Sequence, residues 1–220
     1  MEILLSAKNI SKTFQGKRVI DNINIEIKNA EIVAISGASG AGKTTLLNIL
    51  STLDKPDNSD ISSLFIDSEE VFNLGKNDLA KLRNQKIGFV FQFHELIPEL
   101  NVLENVCLPG WINKDNDVKN KAEELLKYFG LKDFASKKPS TLSGGEKQRV
   151  AIARSLVNNP KIIFADEPSG NLDSKSSELL HKLFFDLRKK HNITFVIVTH
   201  NKDLSNMTDR KLNLVDGKWA

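Results

Sequence analysis

The residues best suited to chemistry lie in a glycine-rich stretch that ends in a lysine and two threonines. It reads Gly37-Ala38-Ser39-Gly40-Ala41-Gly42-Lys43-Thr44-Thr45. Glycines lack a Cβ atom and let successive backbone N–H groups curl around an anion, and a helix starting near Lys43 adds the positive end of its dipole. Lys43 can then reach the β- and γ-phosphates of a nucleotide, while the Thr44 hydroxyl can bind Mg²⁺. The stretch therefore predicts a loop that binds a nucleoside triphosphate.

Apolar runs elsewhere in the chain also end in residues suited to phosphate chemistry. Ile32–Ile35 leads into the glycine-rich stretch, and three later runs lead into Gln92, Asp166-Glu167 and His200. Ligands of open parallel sheets bind at the carboxyl ends of the strands. If these four runs are parallel neighbouring strands, the residues that follow them converge on one site.

Charge and reach suggest a role for each residue at these strand ends. Asp166 is a carboxylate that can hold Mg²⁺, and Glu167, one step further out, can polarise the attacking water. Gln92 can bridge the metal and that water, and His200 can bind the γ-phosphate and orient Glu167. The alternatives are a surface turn before Pro168 for the two acids, and structural roles for Gln92 and His200.

The composition is that of an ordinary globular protein and excludes several classes of function. Of the 220 residues, 40% are hydrophobic and 27% are charged. A formal net charge of +3 is too small to indicate a nucleic acid partner. Cys107 is the single cysteine and cannot form an internal disulfide. The apolar run Ile193–Val198 is far shorter than the roughly 20 residues that a membrane span needs.

The elements that must position the site alternate between strands and helices. Residues 1–30 show the alternation of antiparallel strands, and the rest reads as an α/β core. Residues 93–158 change character and read as a helical insertion. We therefore predict one domain over residues 1–220, with the core and a β subdomain at about 1–92 and 159–220. The individual predictions are strands at 64–66, 87–91, 161–165 and 194–199, helices at 77–84, 119–129 and 174–190, a polar turn at 54–60 and a hairpin turn at 216–217.

A second stretch with unexpected glycines is Leu142–Arg149. Ser143 and Glu146 can form a capping box that opens an amphipathic helix. The box does not explain Gly144 and Gly145, because glycines weaken the first turn of a helix. They are explained if the backbone must approach an anion at this helix N-terminus. Since the first loop already serves one nucleotide, we expect this stretch to serve a nucleotide bound by another copy of the chain.

With these motifs the chain resembles the ATP-binding cassette (ABC) ATPases of transporters over nearly its whole length. The motifs that occur in the family's order and spacing are the phosphate loop, Gln92, Leu142–Arg149, Ile162–Pro168, Gly170–Asp173 and His200. The resemblance implies a P-loop nucleoside triphosphatase core with a mainly parallel sheet, an N-terminal antiparallel β subdomain and an inserted α-helical subdomain. It also implies ATP hydrolysis with Mg²⁺, and a head-to-tail homodimer with two ATP molecules at its interface.

The resemblance assigns roles to further residues. Ser143, Gly144 and Gly145 would close over the γ-phosphate held by the partner subunit, and Asp173 would link the two sites. Phe14 falls where the family places the aromatic ring that stacks on adenine. On local grounds alone, Phe14 could equally be a hydrophobic anchor for its turn.

Two segments resemble the lipoprotein-release (LolD-type) branch of the family, namely Phe91–Pro98 and Leu103–Val106. The segment Ala165–Asp173 also suits that branch, but ATPases of macrolide exporters and of FtsE-type cell-division complexes share it. One departure is the turn Asn58-Ser59-Asp60, which has no glycine where relatives usually carry Ser-Gly. The resemblance implies a peripheral ATPase at the cytoplasmic face of the inner membrane that drives LolC/LolE-like permease subunits.

The permease contact is expected in the region Phe93–Val102. Its apolar residues could line a groove for a cytoplasmic helix of the partner, or could equally form the core of the helical insertion. The candidates are Phe93, Leu96, Ile97, Pro98, Leu100 and Val102.

Two other classes of function remain to be compared. DNA-organising ATPases share the Leu-Ser-Gly-Gly type of motif, but they usually carry long coiled coils, and no heptads lie between Thr45 and Ser143. The second of these classes is an interaction protein that recruits division machinery, as in the FtsE-type branch. The identity of the membrane partner would decide between that class and a transport ATPase.

Overall fold

The computed structural model describes residues 2–57 and 61–220. The strands are β1 (Ile3–Phe14), β2 (Lys17–Lys28), β3 (Ile32–Ser36), β4 (Ser63–Ile66), β5 (Glu69–Glu70), β6 (Ile87–Val90), β7 (Ile162–Asp166), β8 (Thr194–Val198), β9 (Arg210–Val215) and β10 (Lys218–Trp219). The helices are α1 (Lys43–Leu50), α2 (Lys76–Lys86), α3 (Val102–Ile112), α4 (Val118–Tyr128), α5 (Gly144–Leu156), α6 (Ser174–His191) and α7 (Lys202–Met207). The turn Asn58-Ser59-Asp60 lies outside the described residues.

The N-terminal strands form an antiparallel sheet with the order β2-β1-β4-β5. On β2, Ile23, Ile25 and Ile27 are buried while the residues between them are exposed. This alternation buries one face of the sheet against the core, as the period-two pattern predicts. The prediction of antiparallel strands in this region is confirmed.

The second sheet positions the candidate site. Its order is β10-β9-β3-β8-β7-β6, and β3, β8, β7 and β6 are parallel neighbours. Strands β7 and β8 are almost entirely buried, because helices cover both faces of a parallel sheet. The carboxyl ends of β3, β8, β7 and β6 therefore lie side by side at one edge, as the sequence predicts.

Helices α3, α4 and α5 lie between β6 and β7 in the chain and pack on one another. Helix α3 starts at a capping box in which the Glu104 backbone N–H donates to the Asn101 side chain and the Asn101 N–H donates to Glu104. Buried side chains of all three helices join one apolar cluster that continues to the parallel sheet. The exact division of the chain at 93–158 stays a prediction.

The predicted elements agree with the structure to within two residues at most ends, but strand β5 and helix α7 were not predicted. Helix α7 spans only Lys202–Met207 and starts at Asn201, whose side chain accepts a hydrogen bond from the Leu204 N–H. Its six residues are too few for an amphipathic period to be recognised. In the described part of the chain, every helix is too short or too polar to cross a membrane.

Candidate nucleotide site

The glycine-rich stretch is a curled loop between β3 and α1. Lys43 Nζ lies 2.9 Å from both the Gly37 and the Ala38 carbonyl oxygens, so that the lysine donates to its own loop. Helix α1 begins directly after Gly42, and its first backbone N–H groups have no side-chain cap. Free N–H groups at a helix N-terminus favour an anion. The loop thus presents a lysine and a helix end to the same space.

Two glycines of this loop are required by their surroundings. Gly42 has φ +99°, and a Cβ there would lie 2.7 Å from the Val19 carbonyl oxygen. Gly37 has φ +154°, and a Cβ there would collide with the Leu214 carbonyl oxygen. Backbone atoms of β2 and β9 therefore hold the loop in a conformation that an L side chain cannot adopt.

Asp166 at the end of β7 has the surroundings of a cation ligand. Burial raises the pKa of its carboxyl group and the charge of Glu167 adds to this, while the Thr44 hydroxyl and Lys43 lower it. Its Oδ1 atom is buried and has no hydrogen-bond partner among the described residues. Buried polar atoms normally have partners, and carboxylate and hydroxyl oxygens are ligands that Mg²⁺ prefers. Asp166 and Thr44 therefore fit a magnesium ion.

Glu167 and His200 form a pair at the ends of β7 and β8. His200 Nδ1 lies 2.8 Å from Glu167 Oε1, and the His200 backbone N–H donates to the same carboxylate at 3.1 Å. Glu167 has φ +45°, a conformation that a non-glycine residue rarely adopts. Its side chain is 16% exposed, whereas that of His200 is 71% exposed. The geometry holds one carboxylate oriented by an imidazole that solvent can reach.

A second histidine, His181, contacts the turn that follows Glu167. His181 of α6 is buried, and its Nε2 lies 3.3 Å from the Ser169 hydroxyl. Burial lowers the pKa of His181 and thereby favours the neutral ring. A cleft of about 570 Å³ extends from Glu167 and His200 to this histidine.

Gln92 follows β6 and contacts the segment after Pro168. Its Nε2 lies 3.3 Å from Asn171 Oδ1, and Asn171 Nδ2 donates to the Gln92 carbonyl oxygen at 3.1 Å. A Cβ on Gly170 would lie 3.0 Å from the same amide nitrogen. Gln92 therefore lies at the same sheet edge as Glu167. Sequence reasoning missed Asn171, although its position beside the acidic pair was a usable signal.

The helix that starts after Ser143 presents its N-terminus outward. The Glu146 N–H donates to Ser143 Oγ, and Ser143 N–H and Oγ both donate to Glu146 Oε2, which completes the predicted capping box. Ser143 and Gly144 are exposed. No hydrogen bond within 2–57 and 61–220 joins Ser143, Gly144 or Gly145 to the phosphate loop. The structure therefore does not bring this segment to the chain's own loop.

Asp173 and Phe14 lie at the edges of the site. Asp173 is exposed and caps α6, because its side chain accepts hydrogen bonds from the Ser176 N–H and hydroxyl at 2.9 and 2.8 Å. Gly145 faces Ser176, so the two helix starts are neighbours. Phe14 ends β1 and is 47% exposed, with Lys12 Nζ 5.4 Å from its ring. A ring exposed to this degree is free to stack on a base.

The region Phe93–Val102 does not form one continuous groove lining. Phe93 is 72% exposed, but Val102 is fully buried in the apolar cluster. Leu96 packs against that cluster as well. Of the two roles left open for Val102, the structure therefore supports the core of the helical insertion and not the groove, because helix α3 starts there and turns the side chain inward.

An open groove does lie nearby, between strand β6 and helix α3. Its volume is about 460 Å³, and its surface is mainly apolar. It is lined chiefly by Phe89, Phe91, Leu108, Pro109, Ile112 and Arg154.

Asn105 is a residue whose role the sequence did not reveal. It is fully buried in α3, and its side chain contacts the backbone of Ile97, Leu100 and Asn101 through hydrogen bonds of 2.8 to 3.2 Å. An amide on the apolar face of a helix was the available signal. Asn105 fixes the path of the loop that follows Phe93.

The sequence matches a known family model and resembles curated proteins along its whole length. The model described as "ABC transporter" matches residues 20–170. The lipoprotein-releasing system ATP-binding protein LolD of Cytophaga hutchinsonii is 50% identical over 219 residues, which cover 99% of each chain. The protein of the same description in Bacteroides fragilis is also 50% identical, over 97% of this chain and 99% of that one.

Among solved structures, an ATP-binding cassette named MJ0796 has a similar fold. A dimeric post-hydrolysis state of that protein, bound to ADP and Pi, superimposes with a TM-score of 0.87. It is 40% identical and covers 98% of this chain and 96% of that one. The similarity therefore includes both sheets and the helices between β6 and β7.

Proposed function

This chain belongs to the ABC transporter family, whose ATP-hydrolysing subunit it is, and we propose that it drives lipoprotein release from the inner membrane. The observation that carries the proposal is 50% identity with LolD proteins over 99% of both chains. That length includes the exposed turn at Phe93 as well as the nucleotide site. A match over the catalytic motifs alone would indicate only an ABC ATPase.

ATP is held by the phosphate loop and by the aromatic ring before β2. The loop N–H groups and Lys43 bind the phosphates, and Lys43 exchanges the carbonyls that it now contacts for phosphate oxygens. Phe14 stacks on the adenine. Mg²⁺, when bound by Thr44, Gln92 and Asp166, neutralises charge on the phosphates.

Hydrolysis depends on Glu167 as the base that polarises water. His200 orients the carboxylate through the 2.8 Å contact and donates toward the γ-phosphate from its exposed side. The backbone at Glu167 is strained at φ +45°, as is common where a functional side chain is held in one orientation. Gln92 completes the water site at the neighbouring strand end.

The active unit is a homodimer with shared sites. Ser143, Gly144 and Gly145 close over the γ-phosphate in the partner subunit, and Asp173 lies between the two sites. Support comes from the exposed N-terminus of α5, which contacts no phosphate loop of its own, and from the dimeric relative bound to ADP and Pi. Closed symmetric dimers are the commonest assembly of soluble chains.

The membrane partner is a pair of LolC/LolE-like permease subunits that contact the Phe93 turn and the groove beside it. An exposed phenylalanine next to an apolar groove is typical of a protein interface. The chain itself acts as a peripheral subunit at the cytoplasmic face of the inner membrane.

The Phe93→Asp variant tests this contact. In proteoliposomes that contain the LolC/LolE-like subunits of the same organism, we expect wild-type chain to bind and to release a lipoprotein on addition of Mg·ATP. A charge at a central aromatic contact should weaken binding at least about tenfold, because a desolvated hot-spot residue is replaced by a carboxylate. The readouts are co-purification with the membrane subunits and release of the lipoprotein.

Phe65→Asp is the matched control, since Phe65 is an exposed phenylalanine on β4 and is 37% exposed. It should bind the membrane subunits like wild type. Normal co-purification of Phe93→Asp would contradict the contact. Failure of the wild-type chain to bind these subunits at all would contradict lipoprotein release and favour another branch of the family.

A further inference from the structure

Helix α5 carries an arginine that contacts the exposed turn directly. Arg154 Nη1 donates to the Glu95 carbonyl oxygen at 2.6 Å, and Nη2 donates to the His94 carbonyl oxygen at 2.9 Å. The two donors of one guanidinium group thus bind two successive carbonyls. A planar fork suits such a pair, whereas an ammonium group would bind only one of them well.

The turn that receives these hydrogen bonds is strained. His94 has φ +65° and Glu95 has φ +48°, so two consecutive non-glycine residues lie in the left-handed region. Such residues persist only where the surrounding structure holds them. The turn's own backbone hydrogen bonds are His94 N–H to the Phe91 oxygen and Glu95 N–H to the Phe93 oxygen. Arg154 supplies two hydrogen bonds from outside the turn.

The position of Arg154 is not explained by an ion pair. Within the described residues, no carboxylate lies within salt-bridge distance of its guanidinium group. Burial lowers the pKa of Arg154, although the charge of Glu95 opposes this. A half-buried charge that is not neutralised destabilises a fold unless its hydrogen bonds compensate. Instead of a carboxylate, the Arg154 guanidinium group binds the carbonyl oxygens of His94 and Glu95.

The start of the same helix also lies near the turn. Burial, followed by the charge of Lys147 in the first turn of α5, lowers the pKa of His94, whose Nε2 is buried and has no hydrogen-bond partner among the described residues. Helix α5 therefore contacts the turn through Arg154 near its end, and its first turn lies close by. Its N-cap is Ser143, the residue assigned to the nucleotide of the partner subunit.

We propose that Arg154 is a positioning residue that latches the turn Phe93–Glu95 to α5, so that the turn moves when the N-terminus of α5 closes on a nucleotide. Because the turn's partner is the permease, the inference rests on the proposed function. Docking of Phe93 and latching by Arg154 are measured separately, the first by co-purification with the membrane subunits and the second by hydrogen exchange in their absence.

Hydrogen exchange of the backbone amides measures the latch without any membrane subunit. The parent is Glu167→Gln, which keeps ATP bound, and the test variant adds Arg154→Met. Without nucleotide, amides of residues 93–97 should exchange at least about tenfold faster in the test variant, because charge-assisted hydrogen bonds are lost. With Mg·ATP, these amides should become protected in the parent but not in the test variant, although both dimerise.

Two further variants on the same parent keep the result interpretable. Arg154→Lys retains the charge but can bind only one carbonyl, so its exchange should be intermediate. Arg188→Met removes an arginine that is paired with Asp209 on another element, and it should behave like the parent. Equal exchange of residues 93–97 in the parent and in both Arg154 variants would overturn the latch. If Arg154→Met does not fold, Arg154→Lys decides.

In proteoliposomes with the permease subunits, the latch makes a different prediction from docking. Because Arg154 also lines the groove beside the turn, ATP hydrolysis is compared per bound chain. Arg154→Met in the otherwise wild-type chain should keep at least part of its co-purification with the membrane subunits, but their stimulation of ATP hydrolysis by each bound chain should fall at least about tenfold. Phe93→Asp should lose co-purification instead. Normal stimulation of Arg154→Met would overturn the inference and leave the proposed function intact. Absence of binding by the wild-type chain would overturn the proposed function, while the exchange experiment would still decide the latch.

Discussion

The phosphate loop and the N-terminus of α5 are both glycine-containing helix starts, but they differ in what surrounds them. The Cβ atoms missing from Gly37 and Gly42 would collide with backbone of β9 and β2. The Cβ missing from Gly144 would have its nearest neighbours at 3.8 Å, and that from Gly145 would meet the end of the Ser176 side chain at 3.3 Å. The loop is packed against its own chain at Gly37 and Gly42, whereas the start of α5 is open.

The two regions also differ in their polar contacts. Lys43 donates to carbonyl oxygens of its own loop, while among the described residues the Ser143 side chain bonds only to Glu146 of its capping box. A loop that is held in place by its own chain can bind a nucleotide without a second copy. An open helix start that lacks a ligand in its own chain is suited to a second copy. The difference favours the proposal that one catalytic site is divided between two chains.

Complementation of two inactive variants has the largest expected effect on this comparison. Lys43→Ala removes the loop's cation, and Ser143→Arg blocks the opposing helix start, so each variant alone should lose ATP hydrolysis by at least about 100-fold. When the two are mixed in equal amounts, roughly a quarter of the wild-type activity should return, because half of the dimers are mixed and each has one intact site. Steady-state phosphate release measures this.

The control for that experiment is a mixture of Lys43→Ala with wild type, which separates dilution from complementation. If mixed Lys43→Ala and Ser143→Arg remain as inactive as each alone, while each still forms dimers with wild type, the two regions do not share a site across chains.

A pair of glycine substitutions should separate the two regions by the step that fails. Gly42→Ala should weaken ATP binding by the single chain at least about tenfold, because its Cβ would meet the fixed Val19 carbonyl oxygen. Gly145→Ala should leave ATP binding by the single chain unchanged and weaken ATP-dependent dimerisation. Calorimetric titration with ATP and sedimentation measure the two steps. Equal losses of ATP binding in both variants would contradict the comparison.

The smallest expected effect concerns the two capping boxes. Glu146→Ala should lower the free energy of unfolding by about 1 kcal/mol at pH 7, and Glu104→Ala by a similar amount. Hydrogen bonds from Ser143 lower the pKa of Glu146 below its ordinary value of 4.5. A lowered pKa stabilises the fold above pH 4.5, and this contribution is lost as the pH falls through the lowered pKa. The difference between wild type and Glu146→Ala should therefore disappear in acid.

Of the two capping boxes, only the one at Ser143 should affect ATP-dependent dimerisation when it is removed. Urea unfolding gives the stability of both variants, and sedimentation with Mg·ATP gives their dimerisation. A loss of dimerisation in Glu104→Ala as large as in Glu146→Ala would indicate a general effect of stability.

Most of the fold could be predicted because its signals are local. The alternating isoleucines of β2 and the runs before Gly37 and Asp166 have strand periods, and the phosphate loop has a spacing that few other structures share. That the four strands are parallel neighbours was expected, because their ends must meet, whereas the order β3-β8-β7-β6 was not predicted. Position in one sheet then brought Glu167 and His200 together.

What the sequence did not reveal depends on contacts between distant segments. Val102 has the same apolar character as Phe93, and only the start of α3 decides that one is buried and the other exposed. Arg154 is part of an amphipathic helix pattern, and the residues of the Phe93–Glu95 turn that it contacts lie about 60 positions earlier in the chain. Asn105 likewise acts on a backbone segment before its own helix. Periodicity does not report such pairs.

The most direct test of the divided site is the mass of the Glu167→Gln variant in solution with and without Mg·ATP. Removing the base should slow hydrolysis by about 100-fold or more and leave binding intact. We expect the mass to rise from 24.6 kDa without nucleotide to twice that value with saturating Mg·ATP, and Ser143→Arg in the same background to prevent the rise. A Glu167→Gln chain that binds ATP and remains at the mass of one chain would contradict the account.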